Sequence, residues 1–283
     1  NLSGIPKRGL KMKIALITGA NSGIGFYTSI ELLKAGFVVV ATMRDISKQA
    51  ALVKEVEQLG LKKALNIQQM DVTKKEEIIN VKSMIEEKFG RLDILINNAG
   101  YCQGGLLAEI SYDEWEAQQK TNLLGTLQVT KGFLPLLEKK TPSQIITISS
   151  VSGFFGFPGM SAYTSSKFAI EGLSESLRLE LLPKQIFVTL IEPASYKTKI
   201  WQKGLENITD QGDDFKQNLF KYAKASANNG SDPIEVAQLV VKICQTNKPK
   251  FRYPIGKGAR TLAFLKRVLP WSIIEKIVLN RLR

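Results

Sequence analysis

The amino-acid sequence predicts a single α/β domain built on a doubly wound, mostly parallel sheet of seven strands, with helices on both faces. Short, apolar, β-branched segments alternate along the chain with longer segments of helical periodicity. These apolar segments lack the polar alternation of a strand with one solvated face, which is typical of strands covered on both faces. Right-handed crossovers then give a doubly wound sheet, and such sheets bind ligands beyond the carboxyl ends of their strands.

The predicted elements follow one another in a regular order. The predicted strands are residues 13–18, 37–42, 65–70, 92–96, 144–149 and 186–191, with a candidate edge strand at 251–255. The predicted helices are residues 24–35, 48–59, 74–89, 111–137, 161–182 and 233–244. Gly36, Gly60 and Gly90 each follow a predicted helix, where glycine commonly ends helices.

Length and composition limit the class of protein. The chain has 283 residues, 44% of them hydrophobic, which suffices for one large domain, and no linker-like stretch divides it. It has two cysteines and no histidine, so we expect no disulfide framework and no protein-built metal site. No apolar run approaches the roughly 20 residues that span a bilayer, and the start lacks a signal-peptide core. We therefore expect a cytoplasmic location, with membrane association left open.

The net charge of +13 is large and is concentrated in residues 7–13 and 248–283. Such a charge suits nucleic acid, a membrane surface or an anionic cofactor. The chain shows no nucleic-acid-binding signature, so we expect no nucleic-acid partner. Met12 directly precedes the first predicted strand and is a candidate natural start, with residues 1–11 then an arm or added sequence.

A glycine-rich loop joins the first strand to the first helix. The candidate cofactor-binding residues in it are Gly19, Asn21, Ser22, Gly23, Ile24 and Gly25. Glycines permit the tight turn and let the backbone approach a pyrophosphate at the helix N-terminus. Three residues separate Gly19 from Gly23, so the spacing differs from G-x-G-x-x-G. Its place after the first strand favours nucleotide binding over a simple turn.

Further candidate cofactor contacts follow the next three strands. Arg44 can pair with a 2′-phosphate, whereas Asp45 roughly fits the position of a ribose-binding acid, and Arg44 makes us favour NADP over NAD. Asp71 and Val72 either lie along an adenine or belong to a helix cap. The segment 97–100, with Asn98, Ala99 and Gly100, suits side-chain hydrogen bonds that hold the backbone near a cofactor, or a simple turn.

Tyr163 and Lys167 lie four residues apart in a predicted helix and so share one face. A lysine ammonium near a phenol favours the phenolate and lowers a pKa that is otherwise about 10. Because the chain lacks histidine, a tuned tyrosine is a candidate general acid–base. Ser150 and Tyr163 offer two donors for charge developing on a carbonyl oxygen. Taken alone, the pair is more typical of exposed helical side chains, and Ser150 of a turn cap.

Together these motifs resemble the short-chain dehydrogenase/reductase family in its single-domain form, a Rossmann fold. The matching residues are Thr18-Gly19 with Gly23-Ile24-Gly25, Asn97-Asn98-Ala99-Gly100, Asn122 within Lys120-Thr121-Asn122, Ser150, and Tyr163 with Lys167. Their order and spacing match from about residue 13 to residue 199. The resemblance implies a nucleotide-binding oxidoreductase that transfers a hydride between NADP(H), or NAD(H), and a carbonyl or alcohol.

The resemblance also implies the role of each catalytic candidate. Tyr163 would protonate the carbonyl oxygen in reduction or take the hydroxyl proton in oxidation. Lys167 would lower the pKa of Tyr163 and bind the nicotinamide ribose. Ser150 would orient the substrate oxygen, completing a Ser-Tyr-Lys triad. Asn122 would fix a helix and anchor a water that relays protons to Lys167.

One departure from the family pattern follows the sixth strand, where Ala194 replaces the frequent glycine after Pro193. Thr198 keeps its place and would touch the nicotinamide amide or the phosphates. Residues 41–45 and 191–193, with the long C-terminal segment, look like the branch that contains 17β-hydroxysteroid and retinol dehydrogenases. An Arg at position 44 goes with NADP there. This branch implies lipophilic alcohols or ketones.

The remaining segments bear on the substrate. We predict a dinucleotide-binding domain over residues 12–256, a substrate lid over 196–229, and a basic amphipathic C-terminal extension over 257–283. The lid holds Trp201, Phe215, Phe220 and Tyr222, and Phe154, Phe155 and Phe157 either line the same cavity or belong to the core. The extension suits a membrane interface, or packing on the domain or on a second subunit of a dimer or tetramer. A non-catalytic NADP-binding regulator or a membrane-surface protein is the alternative function.

Overall fold

The computed structural model describes residues 12–200, 204 and 213–282, apart from the side chain of residue 281. Seven strands form one sheet in the order β3-β2-β1-β4-β5-β6-β7, and all six neighbouring pairs are parallel. The strands are β1 (Ile14–Thr18), β2 (Val38–Met43), β3 (Leu65–Gln69), β4 (Ile94–Asn97), β5 (Ser143–Ile148), β6 (Ile186–Pro193) and β7 (Arg252–Ile255). The predicted α/β fold with a seven-stranded sheet is confirmed.

α-Helices accompany the sheet in the described part of the chain. They are α1 (Gly23–Lys34), α2 (Ala50–Gln58), α3 (Lys75–Phe89), α4 (Tyr112–Gln119), α5 (Thr126–Glu138), α6 (Ser161–Leu181), α7 (Asp214–Asn228), α8 (Ile234–Gln245), α9 (Ala259–Val268) and α10 (Trp271–Arg281). The first and eighth pack together on one face of the sheet, and the third and fifth pack together on the other. This arrangement is the doubly wound one that the alternating pattern predicts.

The first strand shows why the apolar segments lack polar alternation. Ala15 and Ile17 point into the core beneath α1 and α8, whereas Leu16 points into the core beneath α3 and α5. All three side chains are fully buried. Because each face of the strand has its own core, every position must be apolar.

Two predicted elements differ from the observed ones. The predicted helix over 111–137 begins as α4, passes through a π-helical turn at Lys120–Gly125 and continues as α5. The predicted strand over 186–191 extends to Pro193, because β7 pairs with it along its last residues. Residues 1–11, named above as an arm or added sequence, lie outside the described residues.

The C-terminal helices pack near the carboxyl ends of the strands. Helix α9 contacts β7 and the turn after β5, and Val278 of α10 packs with Leu282 against α7. The amide of Asn218 on α7 donates to the carbonyl of Leu282 at 3.2 Å. The segment after residue 256 therefore lies against α7 and covers one side of the carboxyl ends of the strands.

Candidate active site

A cavity of about 920 Å³ runs along the carboxyl ends of strands β1 to β6 and continues to the C-terminal helices. The predicted site residues that line it are Gly19, Asn21, Ser22, Gly23, Ile24, Arg44, Asp71, Val72, Asn98, Ala99, Gly100, Ser150, Tyr163, Lys167, Pro193 and Thr198. Gly25 and Asn122 lie behind this lining rather than in it. The fold thus brings residues that are up to about 180 positions apart in the sequence to one cavity.

The glycine loop has a backbone that other residues would not adopt. Gly19 and Gly23 have φ angles of +71° and +56°, in the left-handed region. A Cβ on Gly25 would lie 2.3 Å from the Gly19 carbonyl oxygen and 2.5 Å from Asn98 Nδ2. The first turn of α1 therefore packs directly on the loop, and the loop backbone can lie close to a ligand.

Asn98 holds this loop against the end of β4. Its Nδ2 donates to the carbonyl oxygens of Thr18 at 2.8 Å and of Gly19 at 3.1 Å. The Thr18 hydroxyl oxygen accepts from the backbone N–H groups of Asn98 and Ala99 at 3.0 and 2.9 Å. The predicted backbone-holding role of Asn98 is observed, and Thr18 shares it.

The N-terminus of α1 faces the cavity. Its N-cap residue, Ser22, makes no side-chain capping hydrogen bond, so no capping side chain satisfies the first backbone N–H groups of the helix. Such N–H groups favour a negatively charged ligand. Thr198 reaches over the same turn, with its Cγ2 3.2 Å from the position a Gly23 Cβ would take.

The end of β2 presents cations to the cavity. Asp45 is occupied locally, because its Oδ1 accepts from the Ser47 N–H at 3.0 Å and hydroxyl at 2.6 Å, bonds that lower the pKa of Asp45. Lys48 pairs with the other oxygen of Asp45 at 3.5 Å. Arg44 and Lys48 both line the cavity. Lys48 was not predicted, because its approach depends on the 3₁₀ turn at Ile46–Gln49.

Asp71 and Val72 lie at the end of β3. The Oδ1 of Asp71 accepts from the Thr73 N–H at 2.9 Å and hydroxyl at 2.7 Å, so this carboxylate both closes a turn and lines the cavity. Val72 packs against the π-helical turn, where a Cβ on Gly125 would lie 2.6 Å from Val72 Cγ2. Gly125 therefore allows the turn to approach the end of the strand.

Tyr163 is buried and lies beside Ser150. Burial raises the pKa of Tyr163 above its ordinary value, and a hydrogen bond with the Ser150 hydroxyl opposes this rise. Ser150 Oγ also accepts from the Ser152 N–H at 3.1 Å, which fixes the hydroxyl at the end of β5. The two hydroxyl groups therefore lie side by side at the cavity wall.

Lys167 is a buried cation on the same helix face. Its Nζ donates to the Ile148 carbonyl at 2.8 Å and lies 5.6 Å from the centroid of the Tyr163 ring. Burial lowers the pKa of Lys167 to about 8. Burial is the largest cause of the raised pKa of Tyr163, so the phenol is protonated at neutral pH, and the lowering of that pKa by Lys167 stays a prediction.

Asn122 lies in the π-helical turn and connects the loop after β4 to α6. Its Oδ1 accepts from the Tyr101 N–H at 3.1 Å, and its Nδ2 donates to the Tyr101 carbonyl at 3.0 Å and to Ser166 Oγ at 3.1 Å. Ser166 in turn donates to the Tyr163 carbonyl at 2.7 Å. The Asn122 side chain is therefore a brace behind the site. Its predicted contact with a relay water stays a prediction.

The departure at Ala194 is accommodated by the backbone. Among the described residues, Gln185 is the one non-glycine residue with a positive φ, so Ala194 needs no glycine-like conformation. The Ala194 N–H donates to the Ile255 carbonyl at 2.9 Å and prolongs the pairing of β6 with β7. Pro193 ends β6 at the cavity wall.

The far half of the cavity is mainly apolar. Phe155, Phe157 and Tyr222 line it, and the last two rings stack with centroids 4.5 Å apart. Phe215 and Phe220 do not line the cavity, and they pack with Leu219 and Leu282 in a small core that Phe157 and Tyr222 also border. Phe154 is absent from the lining residues, and Trp201 lies outside the described residues.

The C-terminal helices complete this apolar half, which sequence reasoning missed. Their lining residues are Leu262, Leu265, Lys266, Leu269, Ile274, Ile277 and Val278. Cys102 also lines the cavity beside Tyr163, and burial raises the pKa of its thiol to about 12, so it is a neutral apolar contact. The amphipathic pattern of residues 257–283 was visible, but not which part of the molecule its apolar side covers.

Two features of the described residues bear on the class of protein. No three His, Cys, Asp or Glu side chains come together there as metal ligands. Within the same residues, none of the helices has the length and apolar character required to cross a membrane.

Comparisons with known proteins agree with this geometry. The sequence model of the family described as short chain dehydrogenase matches residues 13–208. The chain is 33% identical over 271 residues to the 3-ketodihydrosphingosine reductase of Bacteroides thetaiotaomicron, covering 94% of this chain and 96% of that protein. It is 32% identical over 270 residues to human retinol dehydrogenase 8, covering 90% of this chain and 85% of that protein. A solved actinorhodin polyketide ketoreductase with NADPH has a TM-score of 0.75 and 27% identity, covering 88% of this chain and 97% of that one.

Proposed function

The chain belongs to the short-chain dehydrogenase family, and on that premise we propose that it is an NADP-dependent oxidoreductase. It transfers a hydride between nicotinamide and a lipophilic ketone, aldehyde or secondary alcohol. The observation that carries the proposal is the buried Tyr163 hydroxyl beside Ser150, in one cavity that extends from a glycine loop to an apolar wall. A protein that only bound a nucleotide would have no use for this arrangement.

The cofactor is compatible with the residues present. The glycine loop has the backbone that a closely approaching pyrophosphate requires, and the uncapped start of α1 offers backbone N–H groups to it. The nicotinamide supplies or accepts the hydride when bound. Gly19 to Ile24 would hold the phosphates, while Asp71 and Val72 border the adenine and Thr198 the nicotinamide end.

Arg44 and Lys48 support NADP over NAD. Both cations line the cavity at the end of β2, where the ribose 2′-position of a dinucleotide lies in such folds. Asp45, the carboxylate that would accept a ribose hydroxyl, already accepts two hydrogen bonds from Ser47. A 2′-phosphate would therefore lie near two positive charges, whereas a 2′-hydroxyl would lie near a carboxylate that already accepts hydrogen bonds.

The protein's own groups handle the proton. Because burial raises the pKa of Tyr163, its phenol is protonated at neutral pH and can donate a proton to a carbonyl oxygen. Ser150 offers a second hydroxyl to the same oxygen as negative charge develops there. Once Tyr163 has given its proton, the nearby Lys167 ammonium stabilises the phenolate. The reverse sequence serves alcohol oxidation.

The apolar half of the cavity supports a lipophilic substrate. Aromatic side chains of the turn after β5 and of α7 form one wall, and leucines of α9 form another. The relatives named for 3-ketodihydrosphingosine and retinol agree with this class. Within the proposal, residues 12–256 hold the cofactor, the lid spans 196–229, and residues 257–283 close the substrate side.

Exposed apolar residues on neighbouring helices support a homo-oligomer. Leu124 and Leu127 are exposed on the π-helical turn and α5, and Phe168 and Leu179 are exposed on the adjacent α6. Single exposed apolar side chains are ordinary, but four on α6 and on the π-helical turn and helix beside it fit an interface with a second copy. Light scattering of the purified protein tests this directly.

The decisive test compares Tyr163→Phe with wild type on a panel of ketones, aldehydes and alcohols with NADPH or NADP. We expect turnover to fall by about two to four orders of magnitude, with the dissociation constant of NADPH nearly unchanged. Tyr112→Phe is the matched control, because Tyr112 is exposed at the start of α4. Equal carbonyl reduction by Tyr163→Phe and wild type contradicts the mechanism. Absence of turnover on the whole panel with tight NADPH binding favours a regulator instead.

A further inference from the structure

Helices α9 and α10 carry an outward surface that no other described element covers. We define the outer tail face as Arg260, Phe264, Arg267, Val268, Trp271, Ile273, Lys276 and Leu279. All eight residues are exposed, Phe264 at 62%, Trp271 at 55% and Val268 at 54%. On α9, the spacing of Arg260, Phe264, Arg267 and Val268 places cations and large apolar side chains together on one helix face.

The outer tail face is exposed although the helices that carry it are packed on the rest of the protein. The opposite sides of the same helices are fixed, since Ala259 and Ile274 are buried and Leu262 and Leu265 line the cavity. Leu282 packs against α7 and accepts a hydrogen bond from Asn218. The helices therefore have two apolar sides, and one of them lacks a partner within the described chain.

The charge of the segment indicates what that partner is. Residues 257–283 contain seven lysines and arginines and one acid, Glu275. Lys266 stacks over the Trp271 ring at 4.4 Å, which places an aromatic residue beside a cation at the edge of the face. Apolar side chains, an aromatic residue and excess positive charge on one helical surface suit an interface of anionic headgroups over hydrocarbon.

We propose that the outer tail face docks on the negatively charged surface of a lipid bilayer. Phe264, Val268 and Ile273 enter the boundary between headgroups and acyl chains. Arg260, Arg267 and Lys276 pair with anionic headgroups around them. The helices lie in the plane of the surface, since neither has the length to cross it.

A second copy of the chain is a weaker occupant. A twofold contact through this face would bring Arg260, Arg267 and Lys276 close to the same cations of the other copy. The exposed apolar residues of α5 and α6 lie on different helices and are free to make such a contact. Charge complementarity therefore favours the bilayer.

Docking here would connect the bilayer to the substrate side of the cavity. Residues that line the cavity alternate with residues of the outer tail face along α9, as Leu265 does with Phe264. A lipophilic carbonyl dissolved in the bilayer would then meet the cavity wall without crossing water. This connection rests on the proposed function, whereas docking itself does not.

The test is co-sedimentation of the full chain with vesicles of phosphatidylcholine alone or of phosphatidylcholine mixed with phosphatidylglycerol, an anionic lipid. We expect binding to the anionic vesicles only, and its loss at about 1 M salt, where the Debye length is about 3 Å. Arg260→Glu with Lys276→Glu removes and reverses two cations. At roughly fivefold per cation lost, this double variant binds about 25-fold more weakly or worse.

A second variant separates the apolar contribution from charge. Phe264→Ser should also weaken vesicle binding, whereas Ile79→Ser on α3, exposed to a similar 59%, should not. Both variants should melt like wild type and should reduce a water-soluble ketone at the wild-type rate. The proposal is overturned if anionic vesicles bind no better than neutral ones. A drop in oligomeric state of Phe264→Ser also overturns it, because a second copy is then the occupant.

The same experiment distinguishes docking from the proposed function. Vesicle binding with no turnover of any carbonyl leaves docking standing and removes the oxidoreductase. Turnover of soluble ketones without vesicle binding overturns docking and leaves the oxidoreductase standing. If both hold, anionic vesicles should raise the rate with a long-chain ketone in wild type but not in Arg260→Glu/Lys276→Glu.

Discussion

Replacement of Asn122 by alanine is expected to destabilise the protein and to slow turnover together, because one buried side chain braces two parts of the site. The change removes a hydrogen bond from the Tyr101 N–H and two donated by Nδ2, to the Tyr101 carbonyl and Ser166 Oγ. The Tyr101 carbonyl keeps a donor, Gln118 Nε2 at 2.7 Å, and Ser166 keeps its bond to the Tyr163 carbonyl. The Tyr101 N–H loses its side-chain acceptor.

The size of the effect follows from these partners. Each of the three hydrogen bonds that Asn122 makes contributes about 0.5–1.5 kcal/mol. The free energy of unfolding should therefore fall by about 3 kcal/mol, which lowers the thermal midpoint by about 6–12 °C for a domain of this size. Ser166 lies three residues after Tyr163, so loss of its hydrogen bond with Asn122 also makes the position of the Tyr163 phenol less well defined. We therefore expect kcat to fall more than tenfold.

Thermal unfolding and steady-state kinetics measure the two consequences. Asn80→Ala is the matched control, because Asn80 is an exposed asparagine inside α3 and should leave both quantities nearly unchanged. Ser166→Ala tests the path to Tyr163, and its effect should not add fully to that of Asn122→Ala. A melting midpoint of Asn122→Ala within about 2 °C of wild type would show that the brace is not a stabilising contact.

Gly25→Ala should abolish tight NADPH binding and cost at least about 1–3 kcal/mol of stability, because its Cβ would lie 2.3 Å from the Gly19 carbonyl oxygen; fluorescence titration and melting measure both, and wild-type affinity would contradict the close packing. The rate of carbonyl reduction should fall as pH rises through about 8, the pKa of Lys167, since Lys167 is charged below that pH and neutral above it. A rate that stays unchanged up to pH 10 would argue against a role for that charge. Arg44→Ala should weaken NADP binding about tenfold or more and should change NAD binding little. Lys48→Ala should weaken NADP binding severalfold and should also change NAD binding little. An unchanged preference in both variants would exclude these cations as the 2′-phosphate site.

The fold could be predicted because its signal is repeated and local. Strand β1 is apolar at Ala15, Leu16 and Ile17, and each of these residues fills a core on one side of the sheet or the other. The lining of the cavity was predictable for a related reason. The glycine loop, Asn98 and Ser150 each follow a strand, and parallel strands all end at the same edge.

The parts that escaped prediction depend on contacts between distant segments. The π-helical turn at Lys120–Gly125 has no periodic signature, since Gly125 merely makes room for Val72 of another element. Lys48 reaches the cavity through a short 3₁₀ turn after Asp45. The raised pKa of Tyr163 comes from burial, which spacing along one helix does not report.

The wall formed by α9 and α10 has a consequence for changing substrate preference. These helices follow the last strand and take no part in strand pairing, yet their leucines and isoleucines face the cavity. A chimaera that exchanged this one continuous segment with that of a relative would replace much of the apolar wall in a single step. The glycine loop, Ser150 and Tyr163 would remain untouched, so such chimaeras should keep their proton chemistry while selecting different carbonyl compounds.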